Sequence, residues 1–583
     1  MISLKINNNP VSVPEGTTIL EAAETLGLKI PTLCHIKWDC FKMEHRCGSC
    51  RICVVEVAGR PNLAPSCCTP VSEGMDVHTN TIRAIRARRT MLELLLSNHP
   101  KDCLICSKNQ ECRLQELASD FNIHKIKYEG AQSEFPVDEN GAAIRRDMNK
   151  CIMCRRCETA CNVIQTVGVL SGVNRGFNAT VAPENFAKLT NTGCTFCGQC
   201  VQACPVGALT EIGYKDEVWK HLNDPKKTVV VQTAPAVRVA IGEEFGLKPG
   251  EISTGKLVAA LRRLGFGKVF DTDWSADLTI MEEGTELLAR VKSGKNLPIL
   301  TSCCPGWVNF LEHQFPDLLH MPSTAKSPQQ MFGAIAKSYY AEKLGIDPSD
   351  MIVVSIMPCL AKKYEAARPE FANDDVRDVD YVISTRELAS MIKEAGIVFD
   401  RLPEEQYDSP LGESTGAGVI FGASGGVLEA ALRTAAAWLE GEKDSPIDFV
   451  AIRGLEGIKE ATVTIGGIEL KAAVASGLGN ARKLLERIQS GEAQYHAIEI
   501  MACPGGCING GGQPYNHGNT AILEARKEAI YRADKGLPIR KSHLNPSIIK
   551  IYEEFLGQPN SEKAHKLLHT HYCPHTHHAP EEN

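Results

Sequence analysis

The sequence predicts a multidomain chain, α+β in its first part and α/β after residue 225. Three observations predict it. Within the first 80 residues, alternating runs ISLKI and VSV precede a helical TILEAAETLG and a cysteine-rich loop, the pattern of a small β-rich domain. Short-spaced cysteine clusters follow. Beyond residue 225, four short apolar runs each lead straight into an unusual motif: TVVVQ into TAPAVR, LPIL into TSCCPGW, MIVVSI into MPCLAKK, and HAIEI into MACPGGCINGGGQP.

With 583 residues, 43% hydrophobic and 23% charged, the chain can bury several sizeable cores and has the composition of a soluble protein. The N-terminal MISLKINNNPVSVPEGTTIL lacks a basic region, a long apolar core and a small-residue cleavage site, and no apolar run approaches membrane-spanning length. A cytoplasmic protein with no membrane partner is expected. The net charge of -7 is spread along the chain with no long basic tract, which excludes a nucleic-acid footprint and favours a protein as any charged partner. The 24 cysteines are the abnormal count, and in a chain without an export signal spaced thiols point to metal rather than disulfides.

The strongest signal is Cys151-x2-Cys154-x2-Cys157-x3-Cys161, answered by Cys194-x2-Cys197-x2-Cys200-x3-Cys204-Pro205. Each is a bacterial ferredoxin run, in which the fourth cysteine ligates the other cluster. Cys151, Cys154, Cys157 and Cys204 are expected to hold one [4Fe-4S] centre, and Cys161, Cys194, Cys197 and Cys200 its neighbour; zinc or plain core cysteine is the bland alternative. Upstream lies His99-x3-Cys103-x2-Cys106-x5-Cys112. By spacing alone this set fits zinc as well as a cluster. Its position between two other cluster sites favours a His-ligated [4Fe-4S] centre, because zinc would interrupt electron flow.

The N-terminal candidates are Cys34, Cys40, Cys47, Cys50, Cys53, Cys67 and Cys68. Spacing does not choose between the pairs Cys47/Cys50 and Cys50/Cys53. Four of these cysteines are expected to hold a [2Fe-2S] cluster in a plant-ferredoxin-like fold, although the gaps are wider than the plant type; free thiols are the alternative.

Motifs at the carboxyl ends of strands are where open α/β sheets place their sites, so the four loops should meet. They offer Cys303, Cys304, Cys359, Cys503 and Cys507, one more than a cube needs, which implies a cluster of unusual size. Neighbouring side chains on an extended chain point to opposite sides, so Cys303 and Cys304 should have different jobs. Gly505, Gly506 and Gly510 to Gly512 would let the backbone approach a bulky inorganic group. GASGGVLEA and SGLGN lack the strand-GxGxxG-helix context and read as turns and helix packing, so a nucleotide would need another subunit. The C-terminal HKLLHTHYCPHTHH could bind metal through Cys573 and its histidines, but reads first as a mobile, solvated tail.

TSCCPGW, MPCLAKK and MACPGGCINGGGQP resemble the three signatures of the [FeFe] hydrogenases, and the preceding cluster sites resemble that family's accessory relay. The likeness covers nearly the whole chain. It is to the four-accessory-cluster type, as in clostridial enzymes and the large subunits of NADP-reducing hydrogenases. It implies a plant-ferredoxin-like β-grasp over 1–80, a His/Cys cluster segment over 81–125 and a bacterial two-cluster ferredoxin-like domain over 140–215. A large α/β H-cluster domain with two sheet lobes over 226–535 and a small-subunit-like tail over 536–583 complete it.

Carried over by residue, the resemblance implies that Cys304, Cys359, Cys503 and Cys507 ligate the cube of the H-cluster. Cys507 would also bridge to a diiron subsite bearing CO, cyanide and a small dithiolate. CRICVVEV matches the family's paired cysteines before a strand, which makes Cys34, Cys50, Cys53 and Cys67 the [2Fe-2S] ligands; Cys40, Cys47 and Cys68 are left without a role. Cys303 remains a thiol facing the open iron, suited to proton exchange because its reference pKa of about 8.5 is near neutral. The family's proton route continues through Glu283, Ser323 and Glu286, with Arg290 near the surface. By residue type alone, Glu282, Glu283 and Glu286 read as a solvated helix face. Lys362 would donate to a cyanide, with Lys363 an ordinary surface lysine. Ala234, Pro235, Gln329, Met357, Phe421 and Met501 match the lining of the two-iron pocket, and Ala236 stands where some relatives have a serine.

The function this implies is reversible reduction of two protons to H2, with electrons relayed through one [2Fe-2S] and three [4Fe-4S] clusters. Ferredoxin or an NAD(P)-binding flavoprotein subunit would be the electron partner, and maturation proteins would build the diiron unit. An electron-relay or iron-sulfur assembly protein and a hydrogen sensor are the rival readings. The pairing of Cys303 with Cys304, together with Lys362 and GGGQP, speaks against the first, and the lack of a visible signalling module against the second.

Overall fold

The computed structural model describes residues 1–38, 43–45, 48–139, 141–373, 376–442 and 445–575. The chain forms two compact units. One comprises Met1–Val163, Val169–Lys188 and Cys200–Thr210, the other Ile164–Gly168, Leu189–Gln199 and Glu211–Asn583.

In the first unit, the alternation in ISLKI buries Leu4 and Ile6 on one face of the strand Ile2–Ile6. That strand pairs antiparallel with Asn9–Val13 and parallel with Asp76–His78. Val54–Val57 runs antiparallel to both Asp76–His78 and Ala64–Pro65, which completes a five-stranded sheet. The helix Ile19–Thr25 packs on it and starts at a capping box: the Thr18 hydroxyl accepts from the Glu21 N–H and the Glu21 carboxylate from the Thr18 N–H. Ile19, Leu20 and Ala23 of the helix share one core with Leu4, Val55 and Val77 of the sheet. The helix Ile82–Ser97 follows, its buried Arg88 donating through Nε to the Val54 carbonyl at 2.9 Å.

The second unit contains two four-stranded sheets. The first is wholly parallel, in the order Lys268–Asp271, Thr228–Thr233, Met351–Met357, Tyr381–Ser384. Met351–Met357 is buried at every position, which explains its unbroken apolar run: both sheet faces are covered. The second sheet runs Ile299–Leu300, Ala497–Met501, Ile468–Ser476, Ile458–Ile465, with the last pair an antiparallel hairpin. The four apolar runs of the sequence are strands, two in each sheet, and each motif leaves the carboxyl end of its strand.

The C-terminal helices Thr520–Gly536, Pro546–Ile551 and Glu562–Leu568 belong to this unit, and Ile548, Ile551, Ala564 and Leu568 join the core of the parallel sheet. The mobile, solvated tail expected for HKLLHTHYCPHTHH is corrected as far as His575. The Lys326 N–H donates to the Leu568 carbonyl at 2.7 Å, the Thr570 N–H to Thr324 at 2.8 Å, and His569 forms a β-bridge with Ala325. His569 and Tyr572 meet partners inside the fold rather than water, while His565 and His571 remain exposed. Cys573 is exposed; residues 576–583, and with them the last histidines, lie outside the described residues, as do Cys40 and Cys47. Among the described residues no helix is long and apolar enough to cross a membrane.

Candidate active site and cluster sites

The loops that leave the four strands converge on one cavity. Cys303, Cys304, Cys359, Cys503 and Cys507 all line it, with Lys362 beside them. Ala234, Pro235, Gln329, Met357, Phe421 and Met501 complete the lining the sequence indicated, joined by Thr272 and Ala276, which it did not. Ala236 is buried outside this lining, its carbonyl accepting from the Gln513 side chain at 2.8 Å.

Cys304 caps the helix Pro305–Gln314, where Pro305 occupies a first-turn position whose N–H would have no intrahelical partner. The Cys304 sulfur accepts from the Ala502 N–H at 3.3 Å, which ties it to the loop carrying Cys503 and Cys507. Burial pushes the Cys359 thiol up to about 12 and raises those of Cys304, Cys503 and Cys507, and repulsion among these sulfurs adds to the shift at Cys359, Cys503 and Cys507. Four buried thiolates in mutual repulsion need a compensating positive core, and an iron-sulfur cube supplies one. The Gln329 Oε1 is a buried acceptor without a partner on the cavity wall, a second feature that fits a polar occupant.

Gly506 and Gly510 of MACPGGCINGGGQP stand on the cavity wall, and they serve loop packing as well. A Cβ on Gly510 would lie 2.0 Å from the Pro358 carbonyl oxygen, and one on Gly506 would lie 2.5 Å from the Ser424 nitrogen. They let protein loops pack against one another, and so hold the cysteine-bearing segments at one place.

Lys362 is buried and donates to the Cys303 carbonyl at 3.1 Å and to Glu365 Oε2 at 2.9 Å. The same carboxylate oxygen accepts from Ser327 at 2.9 Å and from Gln329 at 3.1 Å. The reading of Lys363 as a surface lysine is corrected: it is buried, donating to Glu387 at 2.7 Å and to the Val382 carbonyl at 2.8 Å. The helix Ala361–Ala367 is covered on both sides, so both ammonium groups need internal partners. Glu365 was missed from sequence, although its i,i+3 spacing from Lys362 was a visible signal.

The helix Thr272–Ser293 carries Glu282, Glu283, Glu286 and Arg290. Glu282 and Glu283 are buried, not a solvated face. Burial raises the Glu283 carboxyl to about 7, with repulsion from Glu286 adding to the shift. Its Oε1 accepts from the Ser302 hydroxyl at 3.2 Å and the Ser302 N–H at 3.4 Å. Ser302 is a second residue missed from sequence: its hydroxyl meets Glu283, whereas Cys303 and Cys304, expected on opposite sides, both line the cavity, because the strand ends at Leu300 and alternation does not extend to them. Ser323 donates to Glu286 Oε2 at 2.7 Å, and Arg290 binds the other oxygen at 2.5 Å. The Cys303 thiol is pushed well up, by burial first and then by the charge of Glu283.

In the first unit, Cys34, Cys50, Cys53 and Cys67 are buried and in mutual contact: Cys50 and Cys67 each hydrogen-bond Cys34, and Cys53 hydrogen-bonds Cys67. Cys68 turns away, exposed, with its thiol 3.7 Å from the Pro65 carbonyl. Cys151, Cys154, Cys157 and Cys204 interact electrostatically, and burial raises Cys151 and Cys154 to about 12 and Cys157 well above its usual value. Positive φ at Met153 (52°) and Arg155 (59°) reverses the backbone between successive cysteines and presents them to one side. Cys161 and Cys200 belong to this unit, Cys194 and Cys197 to the second.

Among the described residues no group of three or more His, Cys, Asp or Glu closes on the position of a single metal ion. His99 is buried and held neutral by burial, its Nδ1 without a partner. Cys112 lies in the field of Cys106, and a Cβ on Gly207 would sit 2.7 Å from the Cys106 sulfur. Cys103 is exposed. A neutral imidazole with an orphaned nitrogen is the form that ligates metal.

Two helix N-termini of the second unit are satisfied from within. Glu499 accepts from the N–H groups of Gly425 and Leu428 at 2.6 and 2.9 Å, and Gln165 from that of Leu478 at 2.9 Å. These are the glycine motifs GASGGVLEA and SGLGN.

Family models match along the whole length. Residues 1–82 match a 2Fe-2S iron-sulfur cluster binding domain, 88–127 the NADH-ubiquinone oxidoreductase-G iron-sulfur binding region, and 147–208 a 4Fe-4S dicluster domain. Residues 227–511 match the C-terminal domain of the iron only hydrogenase large subunit, and 520–575 the iron hydrogenase small subunit. The chain is 58% identical to the NADP-reducing hydrogenase subunit HndD of Solidesulfovibrio fructosivorans, over 98% of this chain and 99% of that one. It is 40% identical to iron hydrogenase 1 of Clostridium pasteurianum, over 98% of this chain and 100% of that one. Among solved structures, a single-residue variant of the apo [FeFe]-hydrogenase HydA1 from Chlamydomonas reinhardtii superposes with a TM-score of 0.57 at 46% identity, over 62% of this chain and 99% of that one. With a cavity walled by five cysteines and this likeness over nearly its full length, the chain belongs to the [FeFe] hydrogenase family, an iron hydrogenase with 2Fe-2S and 4Fe-4S domains that relay electrons to its H-cluster domain.

Proposed function

We propose that Cys304, Cys359, Cys503 and Cys507 hold the cube of the H-cluster, and that Cys303, Glu283, Ser323, Glu286 and Arg290 carry protons between cavity and surface. The cofactor, a cube linked to a diiron unit, would supply the chemistry that joins two protons and two electrons into H2, and Cys304, Cys359, Cys503 and Cys507 would hold it. Lys362 has two of its three ammonium hydrogens committed, to Cys303 and Glu365, and keeps one for a cyanide on the cavity side. Ala234, Pro235, Gln329, Met357, Phe421 and Met501 exclude water around that unit. At Cys303 the thiol proton stays on sulfur until it is passed on. Glu283, at about 7, changes protonation state near neutral pH and accepts from Ser302. Arg290 holds Glu286 in place for the Ser323 hydroxyl.

Cys34, Cys50, Cys53 and Cys67 would hold one [2Fe-2S] cluster. Three [4Fe-4S] centres would be held by His99, Cys103, Cys106 and Cys112; by Cys151, Cys154, Cys157 and Cys204; and, on spacing alone, by Cys161, Cys194, Cys197 and Cys200. The likeness to an NADP-reducing hydrogenase subunit favours an NAD(P)-binding flavoprotein as electron partner, with ferredoxin the alternative. Maturation proteins would install the diiron unit.

The carrying observation is the convergence of five cysteines from three strand-end loops on one cavity. Infrared spectroscopy of anaerobically matured protein tests it. CO and cyanide bands are expected, and their absence would favour a plain electron relay. Cys303→Ser should be folded and loaded yet lose nearly all turnover; near wild-type activity would refute the role assigned to that thiol. Hydrogen-dependent NADP+ reduction with a copurifying flavoprotein would identify the partner.

A further inference from the structure

The C-terminal segment does more than close the fold. Thr570 and Leu568 pair by backbone hydrogen bonds with Thr324 and Lys326, alongside the segment that carries Ser323. His569 reaches past this pairing to the helix of the carboxylates: its Nε2 lies 3.0 Å from Glu282 Oε2, and its Nδ1 lies 2.8 Å from the Thr324 hydroxyl. Tyr552 and the Asn560 N–H hold the same Glu282 carboxylate, the latter at 2.7 Å. The tail thus grips the residue next to Glu283.

Tyr572 extends that grip to the neighbouring side. Its ring packs on the cluster of Trp307, Phe310 and Leu311, and its hydroxyl donates to the Ser323 carbonyl at 2.9 Å. The Ser302 hydroxyl lies within hydrogen-bonding reach of the same phenol oxygen, which also feels the charge of Glu283. The Ser302 hydroxyl has two alternative acceptors for its one hydrogen, Glu283 Oε1 at 3.2 Å and the Ala325 carbonyl at 2.7 Å, so its orientation decides whether it serves Glu283. One phenol therefore touches both serines that serve the two carboxylates. Burial holds the phenol above the usual tyrosine range, so it remains a donor and carries no charge.

We propose that Tyr572 is a positioning residue of the proton route, setting Ser302 toward Glu283 and Ser323 toward Glu286, and that the C-terminal segment is part of the catalytic machinery. This rests on the route proposed above. It assigns Tyr572 no proton transfer of its own; the hydroxyl acts through the two serines.

The test uses the full matured chain. Tyr572→Phe keeps the ring and removes the hydroxyl. Turnover should fall about fivefold, as for one hydrogen bond lost from the reacting arrangement. The solvent isotope effect should rise, and amide exchange at Ala325 should quicken, because that N–H donates to the Ser323 hydroxyl at 3.2 Å. The infrared bands should be unchanged. In a double-mutant cycle with Ser302→Ala the two losses should be less than additive. Unchanged turnover and isotope effect in Tyr572→Phe, or full additivity, would overturn the proposal, as would failure of this variant to load its cofactor, since a positioning hydroxyl is not needed for assembly. Glu283→Gln separates the two readings: wild-type turnover there sinks the route itself, whereas an inactive Glu283→Gln beside an unaffected Tyr572→Phe sinks only the role of Tyr572.

Discussion

Lys362 donates to the backbone carbonyl of Cys303 across 3.1 Å, and so ties the MPCLAKK loop to the TSCCPGW loop. Its other partner, Glu365, has a side chain only 5% exposed. Lys362→Met leaves that carboxylate with Ser327 and Gln329 alone. A buried charge stripped of its counter-ion costs about 3 kcal/mol or more. A lower thermal midpoint, measured on unmatured protein, is expected together with loss of the CO and cyanide bands after maturation.

Lys363 should separate stability from chemistry. It faces Glu387 and the Tyr214 ring rather than the cavity. Lys363→Met should lower stability by a similar amount, about 3 kcal/mol. Protein that does fold should load its cofactor and give unshifted infrared bands.

The pH dependence follows from Glu283, whose carboxyl is raised to about 7 by burial and by Glu286. Between the unfolded value of about 4.3 and the folded one, the native state binds the extra proton, so stability falls as pH rises through this window and levels off above it. The shift corresponds to about 4 kcal/mol. Glu283→Gln removes the titrating group, and chemical denaturation at pH 5 and pH 8 should show a smaller loss across that interval than in the wild type. The wild-type rate should change slope near the same pH.

The N-terminal cysteines offer a clean discrimination. Cys50, Cys53, Cys34 and Cys67 are gathered and buried, whereas Cys68 is exposed. Cys53→Ser should abolish the electron paramagnetic resonance signal of the reduced [2Fe-2S] cluster. Cys47→Ser and Cys68→Ser should retain it; loss of signal in Cys47→Ser would show that the ligand pair had been chosen wrongly.

Gly510→Ala probes the packing of the signature loops. Its Cβ would meet the Pro358 carbonyl oxygen at 2.0 Å, with only backbone to give way. The variant should unfold at lower temperature and incorporate less iron than wild type, as measured by metal analysis.

Much of this site is readable in the sequence because thiolate spacing is local chemistry. Two residues between cysteines suffice for a backbone reversal, as at Met153 and Arg155, and the strand-to-motif order marks the ends where loops meet. Lys363 reads wrongly from sequence because residue type reports only an average exposure, while this helix is buried on both sides. The glycines are half legible: Gly506 and Gly510 reach the cavity wall, but their packing against Ser424 and Pro358 has no mark in the sequence. The tail misleads because polar composition resembles solvation when its partners, Glu282 and Thr324, lie more than two hundred residues away in the chain.

Donor identity and spacing thus carry the metal chemistry, since a cysteine remains a soft ligand wherever it folds and a two-residue gap constrains its neighbours directly. Proton chemistry has no such local signature. A glutamate becomes a carrier near neutral pH through desolvation and nearby charge, and a tyrosine or lysine acquires its role through partners brought in from other strands and helices. Those quantities exist once the chain has closed around them, which is why Glu283, Ser302, Glu365 and Tyr572 are defined by packing and the cluster cysteines by their order along the chain.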